Sequence, residues 1–146
     1  MSAIRLAAPV IAAIRRHAAE AYPNECCGAL IGATIAPGAV HTPDIVDITD
    51  ALPLANVTDE GPRRRFRISP ADYREAEAYA DKAGGALAGF YHSHPDHPAV
   101  PSQYDLDHAW PNLSYVIVSA SAGATGDLRS WRLRADRSAF EEELQS

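Results

Sequence analysis

The sequence predicts an α+β fold, a mixed and largely antiparallel sheet flanked by helices, on three observations. Short apolar or alternating runs of strand length recur along the chain, two segments carry helical three-and-four spacing, and the order of the two types lacks strict β-α-β repetition. The run 9–21 places apolar residues at helical spacing and ends before Pro23, with His17 expected on its polar side. Cys26 to Gly32 reads as a buried strand, and Ala39 to Ile48 as its antiparallel neighbour across a turn at Gly38, with His41 exposed on it. Asp50 to Pro62 reads as irregular, followed by a short strand from Arg64 to Ile68. Ser69 then caps a helix with proline at its first position, running to about Lys82 before Gly84 and Gly85 stop it. Ala86 to His92 is a strand, Gln103 to Ala109 a short helix, and Ser114 to Ser119 a buried strand. After a turn at Gly123 to Gly126, Asp127 to Arg134 is an alternating strand, and the tail Phe140-Glu-Glu-Glu-Leu-Gln-Ser reads as a frayed helical end.

The 146 residues fit one domain, 1–146, with room for a proper core, and 47% hydrophobic content is ordinary for a globular chain. A formal charge of −6 argues against a nucleic-acid surface, and the one basic cluster, Arg63-Arg64-Arg65 with Arg67, is too short to reverse that. No apolar stretch has the length of a membrane span and the N-terminus lacks the pattern of a secretory signal, so a cytoplasmic protein is expected. The two cysteines, Cys26 and Cys27, are adjacent and cannot readily bridge each other, so no disulfide framework is expected. Strand alternation sends one of them into the core and turns the other towards the cleft beside Glu25, where small buried hydrophobes are the plainer role.

Chemistry concentrates in Tyr91-His92-Ser93-His94-Pro95 and Ser102-Gln103-Tyr104-Asp105. His92 and His94, one residue apart at the end of an apolar run, point to the same side of a strand and can face one metal ion. Ser102 and Asp105 stand three apart after Pro101, so one helical turn puts hydroxyl and carboxylate on one face. His92, His94 and Asp105 as ligands leave the fourth tetrahedral position open to water, the arrangement of a catalytic zinc site. The plainer alternative makes the histidines surface or hydrogen-bonded core groups and Ser102 a helix cap. A zinc hydrolase also needs a base, and Glu25, at a strand edge beside an apolar run, is the best placed. Asp107 is the rival carboxylate but faces away on a helix, His97 fits the entrance better than the metal, and His108 fits packing or capping.

Glu25-Cys-Cys-Gly-Ala-Leu-Ile-Gly, then His92-Ser-His-Pro, with seven residues between His94 and Ser102 and two more before Asp105, resembles the signature of the JAMM, or MPN-plus, zinc metallopeptidases. Likeness to the compact bacterial branch extends to Asn56, to Arg65-Phe66-Arg-Ile-Ser-Pro70 and to Asp96–Pro101, so the resemblance spans about Ala3 to Arg134. It implies an MPN/JAMM-like, cytidine-deaminase-like fold in which His92, His94 and Asp105 hold zinc, Glu25 activates the water and carries its proton to the leaving amine, and Ser102 stabilises the oxyanion.

The resemblance further implies cleavage of an amide or isopeptide bond at the C-terminal Gly-Gly tail of a ubiquitin-like protein, in this branch a sulfur carrier. That tail is expected to pair with an exposed strand edge. The chain has no room for the long insertions of eukaryotic deubiquitinases, which points away from deubiquitination. The competing class is a non-catalytic zinc-bound module that binds such a carrier. Nucleotide deamination is set aside because the cysteine ligands it needs are missing. The carrier's identity, the kind of bond cut, the native metal and the oligomeric state stay open at this point.

Overall fold

The computed structural model describes residues 3–33, 45–58, 61 and 66–145. In chain order the elements are β1 (Ala3–Leu6), α1 (Ala8–Ala21), β2 (Cys27–Ala33), β3 (Ile45–Leu54), α2 (Pro70–Lys82), β4 (Gly85–Pro95), α3 (Gln103–His108), β5 (Ser114–Ser121), β6 (Ala124–Leu133) and β7 (Phe140–Gln145). The strands pair in the order β1-β3-β2-β4-β5-β6-β7, and β1 closes the sheet into a barrel by pairing in parallel with both β3 and β7. The β2–β3, β2–β4, β5–β6 and β6–β7 pairs are antiparallel, and β4–β5 is parallel. The α+β class with a mixed sheet and flanking helices therefore holds.

Alternation along the strands divides the core in two. Val10, Ile14 and Ala18 of α1 pack against Ile4, Leu30, Ile48, Tyr91, Val116, Val118 and Leu128. Ala76 and Ala80 of α2 pack with Ala29, Ile31, Phe90, Tyr115 and Leu133 in the second cluster. The α2 start is built as expected: Ser69 Oγ accepts from Asp72 N–H at 3.1 Å and Pro70 occupies the first turn.

One strand is new and three expectations are corrected. The segment Ala3–Leu6 is a strand that local pattern does not announce, because its register is set by Ile45–Ile48 and Leu144–Gln145, far away in sequence. The second strand of the first hairpin begins at Ile45 and runs on through Asp50–Leu54, a stretch expected to be irregular; residues 39–44, with His41 and the Gly38 turn, lie outside those described. Phe66–Ile68 forms no strand, and Arg63, Arg64 and Arg65 lie outside the described residues. The tail is not a helical end. Its glutamates favour helix weakly as isolated residues, but β6 supplies a cross-strand cation for each of three of them: Arg129–Glu142 at 2.7 Å, Arg132–Glu143 at 3.4 Å and Arg134–Glu141 at 3.0 Å. No described helix is long and apolar enough to cross a membrane.

Candidate metal centre

β4 carries both histidines. His92 and His94 alternate with Tyr91 and Ser93, so the two imidazoles share the face that carries Phe90, while Tyr91 faces α1. Gly28 of β2 stays bare because a Cβ there would collide with the Tyr91 ring, and Gly89 because one would collide with the Ser114 carbonyl. These close approaches fix β4 between its neighbours β2 and β5.

The loop after β4 returns the chain to the same point. Ser102 is the N-cap of α3 and forms a reciprocal capping box: its Oγ accepts from Asp105 N–H at 3.1 Å, and Asp105 Oδ2 accepts from Ser102 N–H at 2.9 Å. That box aims the Asp105 carboxylate at the histidines. Asp105 Oδ2 lies 3.3 Å from His92 Nε2 and 3.1 Å from His94 Nε2, and the two nitrogens are 3.1 Å apart. His94 Nδ1 lies 2.9 Å from the Pro98 carbonyl, which can only accept, so Nδ1 carries the proton and the Nε2 lone pair faces the cluster.

Glu25 stands just before β2, 4% exposed, and one of its carboxylate oxygens lies within 4.8 Å of ligand atoms of His92 and His94. Among the described residues its Oε1 is buried with no hydrogen-bond partner, and so is His92 Nδ1. The ring of His92 is covered by Phe66, stacked at 4.3 Å between centroids and 25° between planes.

The electrostatics follow from this crowding. Burial pushes the Glu25 carboxyl up to about 8, with the Asp105 charge adding and His94 opposing. Burial holds the His92 imidazole below its ordinary value. Burial also works against the charged ring of His94, but Asp105 and the Pro98 carbonyl outweigh it and the net shift is upward. For Asp105, burial is overcome by both imidazoles and the Ser102 N–H, and its carboxyl stays ionised well below the usual carboxylate range.

The donor set fits a metal ion. Ligand atoms on a tetrahedron with bonds of about 2.0–2.1 Å stand about 3.3–3.4 Å apart, close to the observed triangle of 3.1–3.3 Å. Two carboxylates compete for the third place. Glu25 has an oxygen within 4.8 Å of the histidine ligand atoms, whereas Asp105 meets both nitrogens at coordination-edge distance.

Of the other flagged residues, Asp107 is exposed and accepts from Gln103 Nε2 at 2.8 Å, and His97 is exposed. His108 caps rather than binds metal: its ring lies 2.8 Å from the Tyr104 carbonyl and stacks on Tyr104. Asp96 is tied to the Tyr22 hydroxyl at 2.9 Å. Cys26 and Cys27 are both buried free thiols and neither lines the cavity beside the site, which corrects the expectation that one turns to the cleft. His17 is half-buried rather than on a polar face, its Nδ1 2.7 Å from Tyr91 Oη.

Two features of the site carry no local sequence signal. The shielding role of Phe66 depends on its stacking over His92. A cavity of about 790 Å³ opens on His92 and Asp105 and is walled by Phe66, Tyr73, Phe90 and Trp110. Its walls come from α2, β4 and the segments before α2 and after α3, so no local pattern reveals it.

Residues 7–134 match the family of prokaryotic homologs of the JAB domain. The chain is 34% identical over 129 residues to a desampylase of Haloferax volcanii, covering 85% of this chain and 86% of that protein. It is 28% identical over 127 residues to a CysO-cysteine peptidase of Mycobacterium tuberculosis, covering 86% of this chain and 80% of that protein. A solution structure of a Desulfitobacterium hafniense protein superposes with a TM-score of 0.79 at 31% identity, covering 98% of this chain and 91% of that one. The chain belongs to the prokaryotic branch of the JAB, or JAMM-type, family.

Proposed function

We propose that the protein is a zinc-dependent peptidase or isopeptidase of a single domain that hydrolyses an amide bond at the C-terminal Gly-Gly tail of a ubiquitin-like sulfur-carrier protein. The observation that carries the reading is the 3.1–3.3 Å triangle of His92, His94 and Asp105 donor atoms beside the partnerless Oε1 of Glu25. The triangle sets two imidazole nitrogens and a carboxylate oxygen at about the edge length of a tetrahedral zinc coordination sphere. The peptidase names of the relatives support the chemistry, and their carriers support the substrate class. Two buried free thiols suit a reducing cytoplasm.

His92, His94 and Asp105 hold the metal in this reading. A zinc ion there supplies Lewis acidity, which makes water a better acid and a carbonyl a better electrophile near neutral pH. Glu25 takes one proton from the attacking water as the new C–O bond forms. Its burial makes it a far stronger base than an exposed glutamate, and its free oxygen is available to receive that proton. As the C–N bond breaks, Glu25 passes the proton to the leaving nitrogen, so the carboxylate is regenerated. The Ser102 hydroxyl accepts from Asp105 N–H through its oxygen, which leaves its own hydrogen to donate to the carbonyl oxygen as negative charge develops there. The cavity beside His92 and Asp105 gives an extended tail a place to lie, in the role first expected of a strand edge.

The test is incubation of the purified protein with a sulfur-carrier protein extended by several residues beyond its Gly-Gly, followed by intact mass. Loss of the extension, stopped by chelator and cut to a small residual rate by Glu25→Gln, is the expected result. Cleavage that survives chelator, or that runs at the wild-type rate in Glu25→Gln, overturns the mechanism. A carrier held uncut by the wild-type protein, with one metal per chain, identifies a binding module instead.

A further inference from the structure

Asn56 lies two residues past β3, and its carboxamide ties its own segment to two others. Nδ2 donates to the Glu25 carbonyl at 3.1 Å. Oδ1 accepts from the backbone N–H of Thr58 at 3.2 Å and of Arg67 at 3.0 Å. A main-chain bond from Val57 N–H to the Arg67 carbonyl, 2.9 Å, binds the same two segments together. The residue before Arg67 is Phe66, whose ring covers His92.

The peptide unit joining Glu25 to Cys26 is therefore pinned at both ends. Its carbonyl is held by Asn56, and its N–H donates to Ser93 Oγ at 2.8 Å, on the strand that carries both histidines. A carboxamide is the side chain for this task, because it offers a donor and an acceptor in one planar group, which neither aspartate nor leucine does. The tie has a functional cost if loosened: a proton carrier misplaced by about 1 Å can lose on the order of a hundredfold in rate.

We propose that Asn56 is a positioning residue that locks the Glu25 backbone and the Phe66 segment to one frame, so that the base and the ring shielding His92 keep a fixed relation to the donor cluster. The inference rests on the reading of Glu25 as the proton carrier.

Asn56→Asp and Asn56→Ala separate the two halves of the tie. Asn56→Asp keeps both acceptor bonds, removes the donor to the Glu25 carbonyl and sets a carboxylate oxygen against it. Against the extended carrier it should lower kcat about tenfold or more, with KM and zinc affinity, read by competition with a chromophoric chelator, within about threefold of wild type. In hydrogen exchange its Cys26 amide should open faster while the Arg67 amide stays protected; in Asn56→Ala both should open faster. Combined with Glu25→Gln, Asn56→Asp should lower the residual rate less than twofold, because the group it positions is already gone.

An unchanged kcat in Asn56→Asp overturns the proposal, and so does an equal fractional loss in the Glu25→Gln background, which marks a general structural effect. If the wild type cuts no carrier, the functional reading fails by itself. Exchange then still decides the tie: unchanged protection of Cys26 and Arg67 in Asn56→Ala overturns it.

Discussion

The two faces of β4 are built by the same alternation and end in opposite states. Towards α1, every polar group is answered within the fold: Tyr91 Oη meets His17 Nδ1 at 2.7 Å, and Ser93 Oγ takes the Cys26 N–H at 2.8 Å. On the other face, two imidazole nitrogens and a carboxylate oxygen point at one another, and Glu25 Oε1 and His92 Nδ1 are buried without partners among the described residues. An unmet buried polar atom costs roughly 1–3 kcal/mol, so folding alone explains the first face and works against the second. The second face becomes sensible once a cation and a substrate complete it.

The sharpest way to break this contrast is to remove a donor from the open face. His94→Ala should reduce zinc affinity by more than about a hundredfold, beyond what loss of a merely supporting group costs, and abolish carrier cleavage. Metal content after dialysis against graded chelator measures it. Retention of stoichiometric zinc by the variant would show that the cluster is not the metal site.

The cost of the open face should also be visible in the metal-free protein. Glu25 has an ordinary value of 4.5 and about 8 in the fold, so the folded state holds a proton that the unfolded chain gives up. Its contribution is therefore fully present below about 4.5 and is lost as pH rises through 8. At about 1.4 kcal/mol per unit of difference, this amounts to a few kcal/mol across the window. Asp105 titrates with the opposite sign, but below that window, since its carboxyl is held down. Glu25→Gln, stripped of metal, should match wild type near pH 5 and exceed it by a few kcal/mol near pH 8. Denaturant titrations at both values check this, and parallel pH slopes for the two proteins would contradict the assignment of burial to Glu25.

Ser102 tests the junction between fold and chemistry, since it both caps α3 and is assigned the oxyanion. Ser102→Ala should cost about 1 kcal/mol of stability through the lost cap and lower kcat about a hundredfold. Ser102→Thr, which retains the hydroxyl, should recover most of both. A kcat unchanged in Ser102→Ala would reduce Ser102 to its capping role.

The contrast between the faces also marks what the sequence could disclose. The shared face of His92 and His94 follows from a spacing of two, and the pairing of Ser102 with Asp105 from a spacing of three, so both are legible without coordinates. Glu25 is legible only as a carboxylate beside an apolar run and Asn56 only through family likeness; the partners that define their geometry stand 67 to 80 and 11 to 31 residues away and meet them only after the barrel forms. The same limit hid β1, four residues whose two parallel partners are both distant, and misled the reading of Phe140–Gln145, where cross-strand arginines override the weak helical leaning of three glutamates. It also misjudged His17. Three-and-four spacing identifies Val10, Ile14 and Ala18 as the buried stripe, but whether its neighbour His17 meets solvent or a tyrosine depends on β4.

The smallest expected effect lies on the closed face. Burial lowers the His17 imidazole, with Glu20 opposing, while the Tyr91 hydroxyl is pushed upward by burial, so Tyr91 Oη–H donates to a neutral Nδ1. Tyr91→Phe removes that donor and leaves a half-exposed nitrogen that water can reach, so the cost should be about 1 kcal/mol at pH 7.5. It should change as pH falls through the lowered value of the folded imidazole, where Nδ1 gains a proton and can no longer accept from Tyr91 Oη–H. Zinc affinity and kcat should stay within about twofold, because the ring continues to cover Gly28 and β4 keeps its register. A tenfold loss of either would mean that the hydrogen bond on one face of β4 sets the donor geometry on the other, and that the two faces cannot be treated as independent.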